Sequence, residues 1–228
     1  MAVPEACYSN REDAGQRLAR AVPGRFGILD LVVGVARGGV LVARPVAAAL
    51  GLPLDVRIVR KFGAPGQPER ALGAVLPDGT VRWLEEAGPL PSEEKRTVLA
   101  DALAREARER EALYRTVLQR IPAAGRRILL IDDGAATGAS LIALIESLRK
   151  EGAAAVMVAL PVAPPETVSV LEAHADALWV AEQPGWLWAV GMAYADFPEV
   201  TDLEVLAVLG KALAEGPANP SGRPPEVA

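Results

Sequence analysis

The sequence predicts an α/β fold: an open parallel sheet flanked by helices. Three observations carry this expectation. Short β-rich runs of almost wholly apolar residues alternate with helical segments along most of the chain, the pattern of strands buried on both faces of a parallel sheet joined by crossover helices. Two of the strand-to-helix joints fall on turns of small residues, at Arg37-Gly38-Gly39 and at Gly134 to Gly138. One apolar strand runs directly into two adjacent acids, Asp132-Asp133, at the carboxyl edge where open α/β sheets bind ligands.

Each element is read in turn. Asn10 to Val22 has helical spacing, with Ala14, Leu18, Ala19 and Val22 on one side and Asn10 as its N-cap. Pro23-Gly24 ends it. Leu29 to Val35 is a buried-type strand, Val40 to Leu50 a helix closed by Gly51, and Leu54 to Arg60 a second strand. From Phe62 the character changes. Gly63, Pro65, Gly66 and Pro68 predict an irregular loop, and Ala71–Leu76 and Thr80–Leu84 flank Pro77-Asp78-Gly79 as a hairpin. Ser92 caps a long polar helix running to about Gln119, with Leu99, Leu103, Leu113, Val117 and Ile121 as its apolar stripe. Alternation then resumes: strand Arg127–Ile131, helix Thr137–Lys150, strand Ala154–Pro161, helix Glu166–His174, strand Ala177–Ala181. Gln183 to Gly210 reads as aromatic-rich and less regular. The tail 215–228, rich in Pro, Gly and Ser, is expected to be disordered.

Composition narrows the functions. The chain has 228 residues, 51% hydrophobic and 23% charged, enough for one domain of ordinary size. A net charge of −5 offers no broad basic field for nucleic acid, so a phosphate site has to be local. With a single cysteine, Cys7, neither an internal disulfide nor a cysteine zinc cluster can form. The only histidine, His174, reads as a helix-end residue rather than a catalytic base. The runs 28–35 and 153–162 are too short to span a bilayer, and Met1 to Glu5 carries no basic stretch before an apolar core. No membrane partner and a cytoplasmic location are expected.

The chemistry centres on Ile131-Asp132-Asp133-Gly134-Ala135-Ala136-Thr137-Gly138-Ala139-Ser140. Small residues let a backbone approach a ligand closely, and the N-terminus of the following helix offers free N–H groups and a positive dipole end. The two acids suit sugar hydroxyls or a substrate-borne Mg²⁺. Acids beside an anion cradle point to a phosphorylated sugar. Two other readings compete. A receiver domain also begins with a strand and an acid pair, but the strand to Pro161 ends without the aspartate it needs. The other reading is a plain strand–loop–helix turn with solvated acids.

At these residues the sequence resembles the type I phosphoribosyltransferases, whose motif is four apolar residues, two acids, a short loop, then Thr-Gly and a small hydroxyl residue. The resemblance covers about residues 10–210, as part of a single domain, 1–214, with an insertion at about 62–122 and a hood from about 10–22 and 183–210. It implies Mg²⁺-dependent transfer of phosphoribosyl from 5-phosphoribosyl-1-pyrophosphate (PRPP) to a nitrogenous acceptor, with release of pyrophosphate, and a homodimer. Asp132 and Asp133 would be the catalytic pair on the ribose hydroxyls. Gly134, Ala135, Ala136, Thr137, Gly138 and Ser140 would cradle the 5-phosphate. Arg37, Gly38, Gly39 and Lys61 would bind pyrophosphate, Trp188 would stack on the base, and Asp196 would approach the substrate-bound metal. Phe62–Ala71 is read as a lid carrying Glu69-Arg70, with a plain surface loop as the alternative. One departure matters: 6-oxopurine members place a proton-accepting aspartate just before Thr-Gly, and here that residue is Ala136. A PRPP-binding regulator without transfer and a sugar-phosphate hydrolase are the other functions considered. No added DNA-binding segment is legible, which favours transfer.

Overall fold

The computed structural model describes residues 6–64, 67–84 and 90–215. Helix α1 (Arg11–Ala21) precedes β1 (Leu31–Ala36), α2 (Gly38–Leu50) and β2 (Leu54–Ile58). An insertion follows: β3 (Arg60–Ala64), β4 (Gln67–Val75), β5 (Val81–Trp83) and α3 (Glu93–Arg115). The chain then returns through β6 (Arg127–Ile131), α4 (Ala139–Lys150), β7 (Ala155–Val162), α5 (Pro165–Glu172), β8 (Ala177–Glu182) and α6 (Asp202–Glu215).

The main sheet has five parallel strands in the order β2-β1-β6-β7-β8. Side chains alternate across it with period two. Val32, Val56, Leu129, Ile131 and Met157 face one way, against α1, α2 and α6. Leu31, Val33, Leu130, Val158 and Leu160 face the other, against α4 and α5. Both faces are therefore dry, which is why these strands read as unbroken apolar runs. From β1 the chain winds outward to β2, and from β6 it winds the opposite way to β8. The strand order thus reverses between β1 and β6, where the register pairs Gly34 with Ile131. A crevice outside the carboxyl ends of two such strands is the ligand site of open α/β sheets.

The expected α1 begins as read: the Asn10 side chain accepts from the Asp13 N–H at 3.0 Å. It crosses α2 closely at Gly15, where a Cβ would meet Pro45 Cγ at 2.7 Å and Val42 O at 3.0 Å. Gly51 closes α2 with φ 65°, the left-handed conformation that ends helices without a Cβ penalty. His174 is half-buried just beyond the end of α5, its Nδ1 2.9 Å from Val170 O.

Three expectations are corrected. The stretch read as an irregular loop from Gly63 forms an antiparallel ladder between β3 and β4, with register shifts at Phe62/Gly63 and Gly63/Ala64. Gly63 lies at both of these irregularities. Phe62 is buried there and stacks on Trp83 at 4.3 Å. Glu69 and Arg70 fall among side chains outside the described ones. Helix α3 keeps part of its expected stripe: Leu103, Val117 and Ile121 pack partly buried against the core, Ala104, Ala107 and Tyr114 are buried, and Leu99 and Leu113 are more than a third exposed. Ser92 stands at the N-cap but its side chain makes no capping hydrogen bond. Finally, the irregular segment predicted to Gly210 contains α6, which packs Val205 and Leu209 into the core. The predicted tail lies outside the described residues from 216 onward. Among the described residues no helix is long and apolar enough to cross a membrane.

Candidate functional site

Two loops meet at the β1/β6 switch point. The first follows β1. Its Ala36–Arg37 peptide bond is cis, and α2 begins at once with Gly38. The second follows β6 and holds the acid pair. The contact between them leaves no room for side chains. A Cβ on Gly39 would lie 2.7 Å from Asp132 Cα and from Ile131 O, and one on Gly38 would lie 1.9 Å from Asp133 Oδ2. Gly38 and Gly39 are thus required by close approach.

Asp132 is 8% exposed and accepts the Asp133 N–H on Oδ1 at 2.9 Å. Burial holds its carboxyl well above the usual carboxylate range, and the Asp133 charge adds to this; Lys61 acts in the opposite direction. Asp133 is half-buried and ion-paired: Arg11 Nε donates to Oδ2 at 2.7 Å, with the two side chains only 10% and 15% exposed. The Tyr194 hydroxyl donates to the Asp133 carbonyl at 2.5 Å. Burial, then the neighbouring Asp133 charge, drives that phenol above its ordinary value.

The loop beyond the acids is tied from behind. The Ala135 N–H donates to Val162 O at 3.0 Å, and the Thr167 hydroxyl of α5 donates to Ala136 O at 2.6 Å. Gly134 holds φ 153° and Gly138 holds φ 75°, so neither accepts a side chain readily. What remains is a set of unpaired donors. The backbone N–H groups of Ala136, Thr137 and Gly138 make no hydrogen bond among the described residues. Ser140 is buried at 3% exposure, and its Oγ has no partner. Buried polar atoms are nearly always satisfied; donors left open at a helix N-terminus fit an anion. Thr137 is exposed beside them. Lys61 lines the same small pocket as Asp132, Gly134 and Ser140, which places it with this loop rather than beside Arg37.

Arg37 stands in a separate open cleft of about 390 Å³, lined with Arg11, Gly38, Phe197, Pro198 and Glu199. It is ion-paired with Glu199. The wall of this cleft belongs to a small lobe over the sheet edge. Tyr8 bridges to Tyr194: the Tyr8 N–H donates to Ala193 O at 2.9 Å, and the Ala195 N–H donates to Tyr8 O at 2.8 Å. Trp186, Leu187, Val190 and Phe197 pack around them. Trp188 does not join this cluster and is 81% exposed. Asp196 is exposed, and its N–H donates to Ser9 O at 2.9 Å. The structure therefore brings together Asp132, Asp133, Gly38, Gly39, Lys61 and the 134–140 loop, with Arg37 alongside. It leaves Trp188 and Asp196 at the surface. Sequence reasoning missed Arg11 and Tyr194. Arg11 had one legible signal, a cation at the first position of a helix, where the dipole disfavours it.

Comparison with known proteins agrees with this geometry. A phosphoribosyl transferase domain model matches residues 10–195. Curated proteins from Mycobacterium tuberculosis strains CDC 1551 and H37Rv, which bear the provisional name of phosphoribosyl transferase, are each 38% identical over 214 residues, covering 90% of this chain. That match takes in 47% of their length, so the chain spans about half of these relatives. The crystal structure of a Thermus thermophilus protein aligns with TM-score 0.73 and 41% identity, covering 90% of this chain and 98% of that one. The match over most of the chain, with the acid pair and its loop inside it, shows that the chain belongs to the phosphoribosyl transferase domain family.

Proposed function

We propose that the chain binds PRPP at the β1/β6 switch point and transfers its phosphoribosyl group to a nitrogenous acceptor, releasing pyrophosphate. The observation that supports this most is the acid pair placed against an anion cradle whose buried Ser140 Oγ has no partner. The 5-phosphate fits the donors of Ala136, Thr137, Gly138 and Ser140; the Ala135 N–H is already committed to Val162. The ribose hydroxyls fit Asp132 and Asp133. Pyrophosphate fits the Arg37 turn, where Gly38 and Gly39 let the backbone come close, and Arg37 would exchange Glu199 for the leaving group. Donors fixed before reaction lower the barrier as charge builds on that group, and the carboxylates favour the oxocarbenium-like ribose carbon.

Among the described residues no three His, Cys, Asp or Glu side chains cluster to hold a metal. In this reading Mg²⁺ enters with the pyrophosphate of the substrate, with Asp196 exposed nearby in sequence to the cleft wall. Trp188 is free to stack on the acceptor. With Ala136 in place of a proton acceptor, the acceptor's attacking nitrogen has to arrive unprotonated or lose its proton to water.

Isothermal titration of PRPP with Mg²⁺ tests the reading, followed by a screen of bases for pyrophosphate release. Micromolar binding with release supports transfer. Binding without release from any base points to a PRPP-responsive regulator, and no binding by the folded protein removes the proposal. The cradle makes a separate prediction. Ser140→Ala removes a buried, unpaired hydroxyl, whose burial costs about 1–3 kcal/mol, and sets a better helix former in the first turn of α4. The variant should melt higher than the parent without ligand, yet bind PRPP about tenfold more weakly, since a hydrogen bond to a charged phosphate is lost. Thermal unfolding with and without PRPP reads both effects.

A further inference from the structure

The geometry points to Arg11 as a positioning residue that holds Asp133 for the ribose and ties it to the Phe197–Pro198 wall of the cleft; the inference rests on the PRPP reading above. Arg11 is a cation at the first position of α1, directly after the N-cap Asn10 and followed by Glu12 and Asp13. The helix dipole disfavours a cation there, and its side chain is only 10% exposed. Burying a guanidinium carries a large desolvation penalty. Neither helix formation nor the core accounts for it, because its contacts go to the loops at the carboxyl edge of the sheet. Nε donates to Asp133 Oδ2 at 2.7 Å and Nη1 donates to Pro198 O at 2.8 Å. The guanidinium carbon lies over the Phe197 ring, 3.6 Å from its centroid, a cation–π contact that a lysine could make only without the fork to Asp133 and Pro198.

One rigid fork therefore fixes two walls. It commits Oδ2 of Asp133 and leaves Oδ1 without a partner among the described residues, so that a single carboxylate oxygen is presented at a set angle. The position of the ion pair is fixed from below as well, because Gly38 approaches both members: a Cβ there would stand 2.7 Å from Arg11 Nε. Movement of the 197–199 wall and rotation of the Asp133 carboxylate are thus coupled through one side chain. Arg11 acts on the sugar through Asp133; it also lines the cleft at Arg37, where its hydrogen bonds go to Asp133 and Pro198.

The test is titration of PRPP with Mg²⁺, ribose 5-phosphate and inorganic pyrophosphate into the wild type and the variants Arg11→Ala, Arg11→Lys, Asp133→Asn and Arg11→Ala/Asp133→Asn. Thermal unfolding confirms that each is folded. Arg11→Ala should weaken PRPP and ribose 5-phosphate by about tenfold or more, the loss of a charge-assisted hydrogen bond, while pyrophosphate, whose cleft Arg11 lines without a hydrogen bond to Arg37 or Gly38, should lose clearly less. The double variant should bind PRPP no more weakly than Asp133→Asn alone, since the two residues act as one unit. Arg11→Lys, which keeps the charge but not the fork, should fall between; it also carries the test should Arg11→Ala fail to fold, because equal affinity of Arg11→Lys and wild type for PRPP would overturn the inference. So would additive losses in the double variant, or an equal loss for all three ligands. A folded wild type that binds none of the three overturns the PRPP reading and this inference together, whereas a wild type that binds while Arg11→Ala matches it overturns this inference alone.

Discussion

Asp132→Asn and Asp133→Asn are both expected to weaken PRPP binding, by about tenfold or more where hydrogen bonds to sugar hydroxyls are lost, yet to move stability in opposite directions. Asp132 is buried, and its carboxyl is held above the usual range by that burial and by its neighbour. Its native form therefore retains a proton that the unfolded chain releases. The stability tied to this group is complete below the ordinary aspartate range, about pH 4, and is lost as pH rises through the raised folded value. Asp132→Asn removes that titration while keeping an oxygen for the Asp133 N–H. Its melting temperature should exceed the wild type's near neutrality, and the advantage should fade as pH falls toward about 4. Asp133→Asn does the reverse. It leaves the Arg11 guanidinium, nine-tenths buried, without its carboxylate, at a cost of about 1–3 kcal/mol, or roughly 2–12 °C for a domain of this size. Melting curves across pH, beside PRPP titrations, measure both. Equal destabilisation by the two substitutions would remove the argument that Asp132 is held at a cost to the fold.

The opposed signs bear on what the sequence could reveal. The acid pair, its loop and Ser140 were legible because their chemistry is local: a buried-type strand ends, two acids follow, and a helix opens within eight residues. The glycines at 38 and 39 were legible as a turn. Their true constraint, the Asp133 carboxylate against Gly38 and the Asp132 backbone against Gly39, joins residues more than 90 positions apart and has no signature along the chain. Arg11 lies 122 positions from Asp133 and was hidden for the same reason. The architecture was readable from alternation, since strands dry on both faces cannot hide their composition. Where it failed, short-range signals competed. Glycine and proline in 63–68 spoke for a loop, though β3 takes in Gly63 at a register shift and β4 takes in Pro68. Helix α6 was overlooked although Thr201-Asp202-Leu203-Glu204 carries a capping box: the Glu204 carboxylate accepts from the Thr201 N–H at 2.7 Å, and the Thr201 hydroxyl accepts from the Glu204 N–H at 3.2 Å. Trp188 is a different case. A tryptophan in an apolar run reads as buried or stacked, and it stands in solvent because its neighbours Trp186 and Leu187 take the packing positions.

The largest stability loss is expected far from the acid pair, at Asp55. This residue of β2 is completely buried. Its carboxylate accepts from the Val56 N–H at 2.7 Å, the Ile121 N–H at 3.1 Å and Arg115 Nη1 at 2.7 Å, and it also pairs with Arg57. Arg57, itself 4% exposed, donates onward to Ile121 O at 3.0 Å, and Arg115 Nη2 donates to Val56 O at 2.8 Å. One carboxylate thus fastens the edge strand of the sheet to the end of α3 and to the segment that brings the chain back to β6. Asp55→Ala would leave two backbone N–H groups unpaired and take the nearest carboxylate from two guanidiniums, which would keep only Glu151 and Glu111 at 3.6 Å. Removing one partner of a buried pair costs about 3–5 kcal/mol, which for a domain of this size lowers the melting temperature by roughly 6–20 °C. The exposed pair Arg17–Asp13 on α1, with Arg17 half exposed, provides the contrast: breaking it should cost no more than about 0.5 kcal/mol. Asp55 touches neither loop of the site, so the folded fraction of Asp55→Ala should bind PRPP as the wild type does. Calorimetric melting together with PRPP titration below the melting range separates these outcomes. A variant that melts normally would show the network to be offset by its own desolvation, and one that melts normally but loses PRPP would show that the edge strand governs the site directly.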